Sequence, residues 1–277
     1  MTTRAATAAG FIDTHAHLES EQFDGRQNQV IQTALDAGVQ KIIAIGCTWG
    51  SSQKSLYLAK QHDNVYAAVG IHPNYCSTAT DHDWERILVM LDQPEVVALG
   101  ETGLDRYWDY APFELQQKYF DRHIRTSQKT GLPFIVHMRE CEQEILEMLQ
   151  EARQRGPLQG VMHSFTGDTV MASKCLELGM YISFAGMVTF KKNDALREVA
   201  AMIPQNRILL ETDCPYLSPH PYRSKRPNHP AMMLHTAQCV ADVRGVSLEE
   251  IGLQSTQNAC DLFTRLDGNN DKTKSVL

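Results

Sequence analysis

What the chain lacks narrows its class. Its apolar runs are strand-sized, far short of the ~20 residues that cross a bilayer, so no membrane span is expected. The seven cysteines are odd in number and form no C-x-x-C pair, which excludes a disulfide scaffold and predicts reduced thiols in a cytoplasmic protein. Cations are in deficit: 26 Lys and Arg against 33 Asp and Glu leave a net charge of -7. No general positive field can coat nucleic acid, and any polyanion must meet a local basic patch. With 17 Gly and 11 Pro in 277 residues, collagen-like and disordered classes are out. The opening MTTRAATAAG holds no apolar stretch of the kind a secretion signal needs, so residues 1–10 read as a short extension. No Gly/Ser linker divides the chain, which predicts one domain over residues 11–267, followed by a polar tail over 268–277.

What is present is a rhythm. Short apolar, β-branched segments recur at 11–12, 41–46, 65–71, 96–100, 133–137, 160–163, 180–185 and 207–211. They are nearly continuous instead of alternating, as strands of a helix-covered parallel sheet must be. Between them apolar residues fall at helical spacing. Val30, Ile31, Ala34 and Leu35 close at Gly38; Trp84, Ile87, Leu88 and Leu91 follow Asp83, a candidate cap; Ile145, Leu146 and Leu149 close at Gly156; Leu196, Val199, Ala200 and Ile203 run from Asn193 to Pro204. Pro230 opens a further helix ending at Gly245, and Ser247 with Glu250 forms a capping-box pattern. Eight βα units in about 250 residues predict an α/β fold, a single-domain TIM (β/α)8 barrel. The alternative, an open doubly wound sheet, lacks its Gly-rich phosphate fingerprint after the first strand.

Chemistry-bearing residues gather at strand ends. Asp13-Thr14-His15-Ala16-His17 follows the first strand, and a period of two puts His15 and His17 on one face. Alone, an H-x-H pair is a weak signal, equally compatible with two satisfied polar side chains. Here it has company: His72 follows strand three, Glu101 strand four, His137 strand five, His163 strand six and Asp213 strand eight. A barrel brings these ends to one mouth, where a buried cluster of imidazoles and carboxylates is costly without a cation to neutralise it.

Together the segments FIDTHAHL, GIHP, GETGLD, PFIVHMRE, MHSFTG, LLETDCPYLSP and YRSKRPN resemble the TatD family of metal-dependent deoxyribonucleases, within the amidohydrolase-like TIM barrels. The resemblance runs in order over residues 11–266. It implies that His15, His17 and Asp213 hold one metal and that Glu101 bridges to a second, held also by His137 and His163. Nitrogen-rich ligation with a bridging carboxylate suits Zn²⁺, Mn²⁺ or Mg²⁺ in a two-metal hydrolytic site. Asp213 then either orients and deprotonates water or serves as a ligand alone. Asp105 is expected to support the site by hydrogen bonding.

Substrate contacts are read from position and charge. Arg139, two residues beyond His137, offers a fork suited to phosphate, against the plainer role of a surface salt bridge. The resemblance gives His72 a substrate contact; a hydrogen-bonded core histidine is the other reading. Arg223, Lys225 and Arg226, set among prolines after the last strand, form a basic loop that either steers an anion or is simply solvated. Tyr107, Trp108 and Tyr110 are expected to pack into loop or helix, with base stacking the alternative. Three departures from the family pattern stand out, namely Thr102 in place of an apolar residue, Arg106 in place of an aromatic, and RPNHP.

The function expected is a metal-dependent deoxyribonuclease, a 3′-5′ exonuclease on DNA and by extension RNA, using a two-metal-activated water. A hydrolase of an amide, lactone or aminoacyl ester on the same barrel is the alternative. A binding protein with structural metals is disfavoured, because a structural site closes its ligand shell.

Overall fold

The computed structural model describes residues 10–266. The expected tail over 268–277, and the extension over 1–10 apart from Gly10, lie outside the described residues. Eight strands, β1 (Phe11–Ala16), β2 (Val39–Ile45), β3 (Val65–Val69), β4 (Val96–Asp105), β5 (Phe134–Arg139), β6 (Gly160–Met162), β7 (Tyr181–Phe184) and β8 (Ile208–Leu210), pair in parallel and in chain order. Helices α1 (Gln27–Asp36), α2 (Trp49–Gln61), α3 (Asp81–Met90), α4 (Phe113–Thr130), α5 (Glu142–Arg155), α6 (Thr169–Glu177) and α7 (Asp194–Met202) follow the first seven strands in turn. After β8 come α8 (Met233–Arg244) and α9 (Leu248–Leu262). The first and last strands meet at their C-terminal ends. There Thr14 Oγ1 donates to Leu210 O at 3.0 Å, and the amides of Asp213 and His17 donate to His15 O and Cys214 O at 2.9 and 2.8 Å. This is the expected (β/α)8 barrel. No described helix is long and apolar enough to cross a membrane, and among the described residues Cys47, Cys76, Cys141, Cys175, Cys214 and Cys239 are free thiols.

Local chemistry explains most boundaries. Thr48, Asp168 and Ser247 each accept an amide of the first turn of α2, α6 and α9, and Gly131 and Gly245 end α4 and α8 in the left-handed conformation. The cap expected at Asp83 is instead Thr80. Asp83 is the third residue of α3 and completes a reciprocal capping box with Thr80, so the helix starts earlier than its apolar stripe. Strands β1 and β4 run past their expected ends at residues 12 and 100 to Ala16 and Asp105, carrying polar residues that are fully buried.

Two apolar clusters divide the strands by face. One takes Ile12, Ile43, Ile45, Tyr66, Ala68, Val97, Ala98, Ile135, Val161, Tyr181 and Leu209, at least one from every strand, with Ala259, Leu262, Phe263 and Leu266 from the chain's final helical segment. This is the barrel lumen, stoppered at its base by the end of α9. The other cluster joins the opposite strand faces to the surrounding helices.

Candidate active site

Period two carries the lumen columns upward into polar residues. Ile135 is followed on its face by His137 and Arg139, Val161 by His163, and Leu209 by Glu211 and Asp213. Two strands reach the same result through an irregularity. Ile12 faces the lumen, yet Ala16, four residues on, packs with the outer cluster, and the β1–β2 register shifts between Asp13 and Ala16. Likewise Ala98 faces in and Leu104 faces out, with a register shift in β4–β5 between Leu99 and Thr102. An extra residue reverses which side chains point inward. These two shifts bring His15 and Glu101 to the mouth.

The geometry there is tight. His15 Nε2 and His17 Nε2 are 3.2 Å apart and lie 3.4 and 3.7 Å from Glu101 Oε2. Asp213 Oδ1 stands 3.7 and 3.4 Å from the same two nitrogens. The other Glu101 oxygen, Oε1, faces His137 Nδ1 and His163 Nε2, both at 2.9 Å, and His72 Nε2 at 3.4 Å. Asp213 sits in the left-handed region at φ 52°, a backbone cost for a non-glycine residue that is tolerated where the surroundings fix it.

Outer hydrogen bonds set the rings. Asp105 Oδ2 lies 3.1 Å from His137 Nε2, and Asn74 Nδ2 donates to the same oxygen at 3.1 Å. Glu211 Oε1 lies 3.1 Å from His163 Nδ1 and accepts the Ser164 amide at 2.7 Å. Each carboxylate holds one ring nitrogen, leaving the other aimed at Glu101. Burial would raise the Glu101 carboxyl, but His163, His72, His15 and the His137 contact hold it well below the usual carboxylate range. Burial and neighbouring His163 press His15 towards its neutral form, against the pull of Glu101. Burial also works against charge on His163, where Glu101 and Glu211 nevertheless raise its pKa well above normal.

The donor set fits divalent metal. A shared proton joins two Nε2 atoms at 3.2 Å, and the same spacing suits a divalent cation, because bonds of about 2.1 Å in tetrahedral geometry put ligand nitrogens about 3.4 Å apart and the Glu101 and Asp213 carboxylates stand beside them to balance its charge. Groups with donor atoms mutually within 4.8 Å are His15, His17 and Glu101; His15, His163 and Asp213; and His72, Glu101 and His137. His163 therefore adjoins both halves, its ring stacked on His15 at 3.9 Å between centroids. His72, expected as a substrate contact or core histidine, stands within the donor cluster itself.

The chain matches a known family over nearly its whole length. The family described as TatD related DNase matches residues 12–264. The chain belongs to it. It is thus a metal-dependent hydrolase, like YabD of Bacillus subtilis, an uncharacterized metal-dependent hydrolase 37% identical over 91% of this chain and 98% of that protein. A Shigella flexneri protein named 3′-5′ ssDNA/RNA exonuclease TatD is 32% identical over 91% of this chain and 98% of its own length. Among solved structures, YjjV, a TatD homologue from Escherichia coli, superposes with a TM-score of 0.85 at 31% identity, covering 92% of this chain and 98% of that one.

Around this TatD-family cluster the expected substrate residues lie at the rim. Arg139 is exposed and forms no ion pair among the described residues; its guanidinium lies 3.6 Å from the Tyr107 ring centroid. Arg223, Lys225 and Arg226 are exposed, with Arg223 over Phe190 at 3.4 Å. Asn228 ties their loop to the mouth by donating to Thr212 O and Tyr216 O at 3.0 and 2.6 Å. Arg106 turns away from the mouth, stacking on Phe113 and bonding Glu144 Oε1, so that departure from the family pattern belongs to the scaffold. The loop-core placement expected for Tyr107, Trp108 and Tyr110 is not what forms: they are 49%, 42% and 59% exposed.

Sequence reading missed Glu211 and Cys47. Both continue lumen columns, Glu211 two residues after Leu209 and Cys47 two after Ile45, and strict period-two counting would have found them. Cys47 Sγ lies 3.8 Å from both His17 Nδ1 and Glu101 Oε2.

Proposed function

We propose that the chain hydrolyses phosphodiester bonds of single-stranded DNA or RNA, removing nucleotides from the 3′ end. The observation that carries this reading is the division of Glu101: Oε2 faces His15 and His17, while Oε1 faces His137, His163 and His72. One carboxylate with each oxygen turned to its own set of imidazoles is the arrangement for two cations. His15, His17 and Asp213 would hold one, His137 and His163 the other, and Glu101 both. Bound there, Mg²⁺, Mn²⁺ or Zn²⁺ supplies Lewis acidity, acidifying water and neutralising charge on phosphoryl oxygens.

The chain's own groups do the rest. Burial opposes ionisation of Asp213, yet His17, His15 and His163 keep its pKa below the usual carboxylate value, so it is an open proton acceptor facing the cluster. Asp213 takes the proton of the attacking water. Asp105 and Glu211 hold the His137 and His163 rings so that no nitrogen has to turn during turnover. Arg139 forks onto a substrate phosphate at the rim, and Arg223, Lys225 and Arg226 draw the polyanion towards an otherwise acidic protein. The relative named as a 3′-5′ ssDNA/RNA exonuclease supports this substrate and direction.

The test is chelation followed by metal add-back on end-labelled oligonucleotides, beside lactone, amide and aminoacyl-ester substrates. The expected result is metal-dependent loss of a 3′ label with stepwise shortening of 5′-labelled strands. Intact strands in the presence of metal, with hydrolysis of the ester or amide panel, would overturn the reading.

A further inference from the structure

Behind β4 the chain places three large rings in solvent side by side. Tyr107 and Trp108 meet edge to face at 4.8 Å between centroids, and Trp108 and Tyr110 stack at 5.3 Å with planes 14° apart. Single exposed aromatics are common; a contiguous row of half-exposed rings at a cleft rim asks for a partner. The row is also fixed. Asp105 Oδ1 accepts the amides of Tyr107 and Trp108 at 2.9 and 3.0 Å, and the Arg106 amide donates to Arg139 O at 3.0 Å. Arg106, clamped between Phe113 and Glu144, pins the start of the loop from beneath. The other Asp105 oxygen is the one beside His137. One carboxylate therefore holds both the ring row and a histidine of the cluster.

We propose that Tyr107, Trp108 and Tyr110 form a stacking platform for the unpaired bases next to the scissile phosphate. The proposal rests on the nuclease reading above and adds to it a rule of substrate choice. Every base has a π-face, so recognition by stacking ignores sequence but requires bases free of a complementary strand. Arg139 completes the arrangement. Its guanidinium covers Tyr107 and keeps a cation at the edge of the platform, where a backbone phosphate accompanies each stacked base.

The experiment compares metal-loaded wild type, Trp108→Ala, Trp108→Phe and Tyr110→Ala on two single-stranded oligodeoxynucleotides, one intact and one abasic over its last three 3′ positions. Wild type should show a KM on the abasic strand about tenfold above that on the intact strand. In Trp108→Ala that ratio should fall towards one because the intact strand loses its advantage, with KM moving more than kcat. Trp108→Phe should restore the ratio, and Tyr110→Ala should reduce it partly, providing a second reading if Trp108→Ala does not fold. Equal KM values for the two strands in wild type, or a ratio that survives Trp108→Ala, overturn the platform and leave the nuclease reading standing. Failure of wild type to cleave either strand, while it hydrolyses esters with metal bound, sinks the nuclease reading itself.

Discussion

The two ends of the barrel are built from the same strands by opposite means. At the base, Phe263 and Leu266 plug the lumen, and the polar groups there satisfy one another: Lys41 Nζ and Tyr66 Oη donate to Leu266 O at 2.7 and 3.0 Å, and Arg265 caps the carbonyls of Leu91, Gln93 and Val96. At the mouth, one step of two residues along β5, β6 and β8 changes Ile135, Val161 and Leu209 into His137, His163 and Glu211. His163 and Glu211 are buried as the plug is and His137 is half-buried, but their charges and lone pairs converge on a point instead of cancelling in pairs. The base holds the barrel closed; the mouth is held ready for ions that the protein itself does not supply.

That contrast is broken most sharply at Glu101. Glu101→Gln should leave the barrel folded, since the base is untouched, yet lower turnover by at least about a thousandfold, because an amide cannot serve two cations as a carboxylate does. Metal content and kcat measured on the same preparation check it, and near-normal activity would refute the division of roles assigned to the two Glu101 oxygens. The converse variant is Phe263→Ala. Removing a fully buried ring from the plug should cost about 3–5 kcal/mol in urea unfolding, while kcat per folded molecule stays near wild type.

Outside the strand ring lies His123, buried on α4, with Nδ1 2.7 Å from Tyr119 O and Nε2 accepting the Ile71 amide at 3.1 Å. Burial lowers its pKa from 6.5 to about 4, so the fold binds its neutral form. Because the folded pKa lies below the unfolded one, this stabilisation is complete above pH 6.5 and is lost as pH falls towards 4. The loss amounts to roughly 3 kcal/mol. His123→Gln should be less stable at neutral pH and should lack this component of the acid sensitivity. Urea midpoints at pH 7 and pH 4.5 compare the two, and equal pH dependence would show that other groups carry it.

The same contrast explains what the sequence made legible. All eight strands announced themselves because both of their faces are buried, and the ligand-type residues announced themselves by standing where those strands end. The register shifts in β1 and β4 did not. They arise from closing the ring, a condition no local window contains, and they decide that His15 and Glu101 face inward. Glu211 stayed hidden beside Asp213 because a motif draws attention to its metal-type residue while the carboxylate two places earlier works through His163. The exposure of Tyr107, Trp108 and Tyr110 was equally invisible, since it depends on Asp105 and Arg106 folding the loop back against β5.

The smallest effect concerns Thr102, where the chain departs from the family's apolar residue. Thr102 is 1% exposed, and its Oγ1 is buried without a hydrogen-bond partner among the described residues. It lies on β4 between Glu101 and Gly103. Gly103 has φ +135°, and a Cβ there would come within 2.0 Å of His137 O, so β4 and β5 pack closely beside Thr102. An unsatisfied buried hydroxyl costs about 1–3 kcal/mol, and valine has the same shape without it. Thr102→Val should therefore raise stability by about 1 kcal/mol with turnover unchanged, because the side chain faces the helices, as Leu104 does, and not the cluster. If Thr102→Val instead destabilises the fold, the hydroxyl has a partner such as an ordered water. The scaffold side of β4 would then be as polar in its needs as the mouth, and the separation of roles between the two faces of that strand would fail.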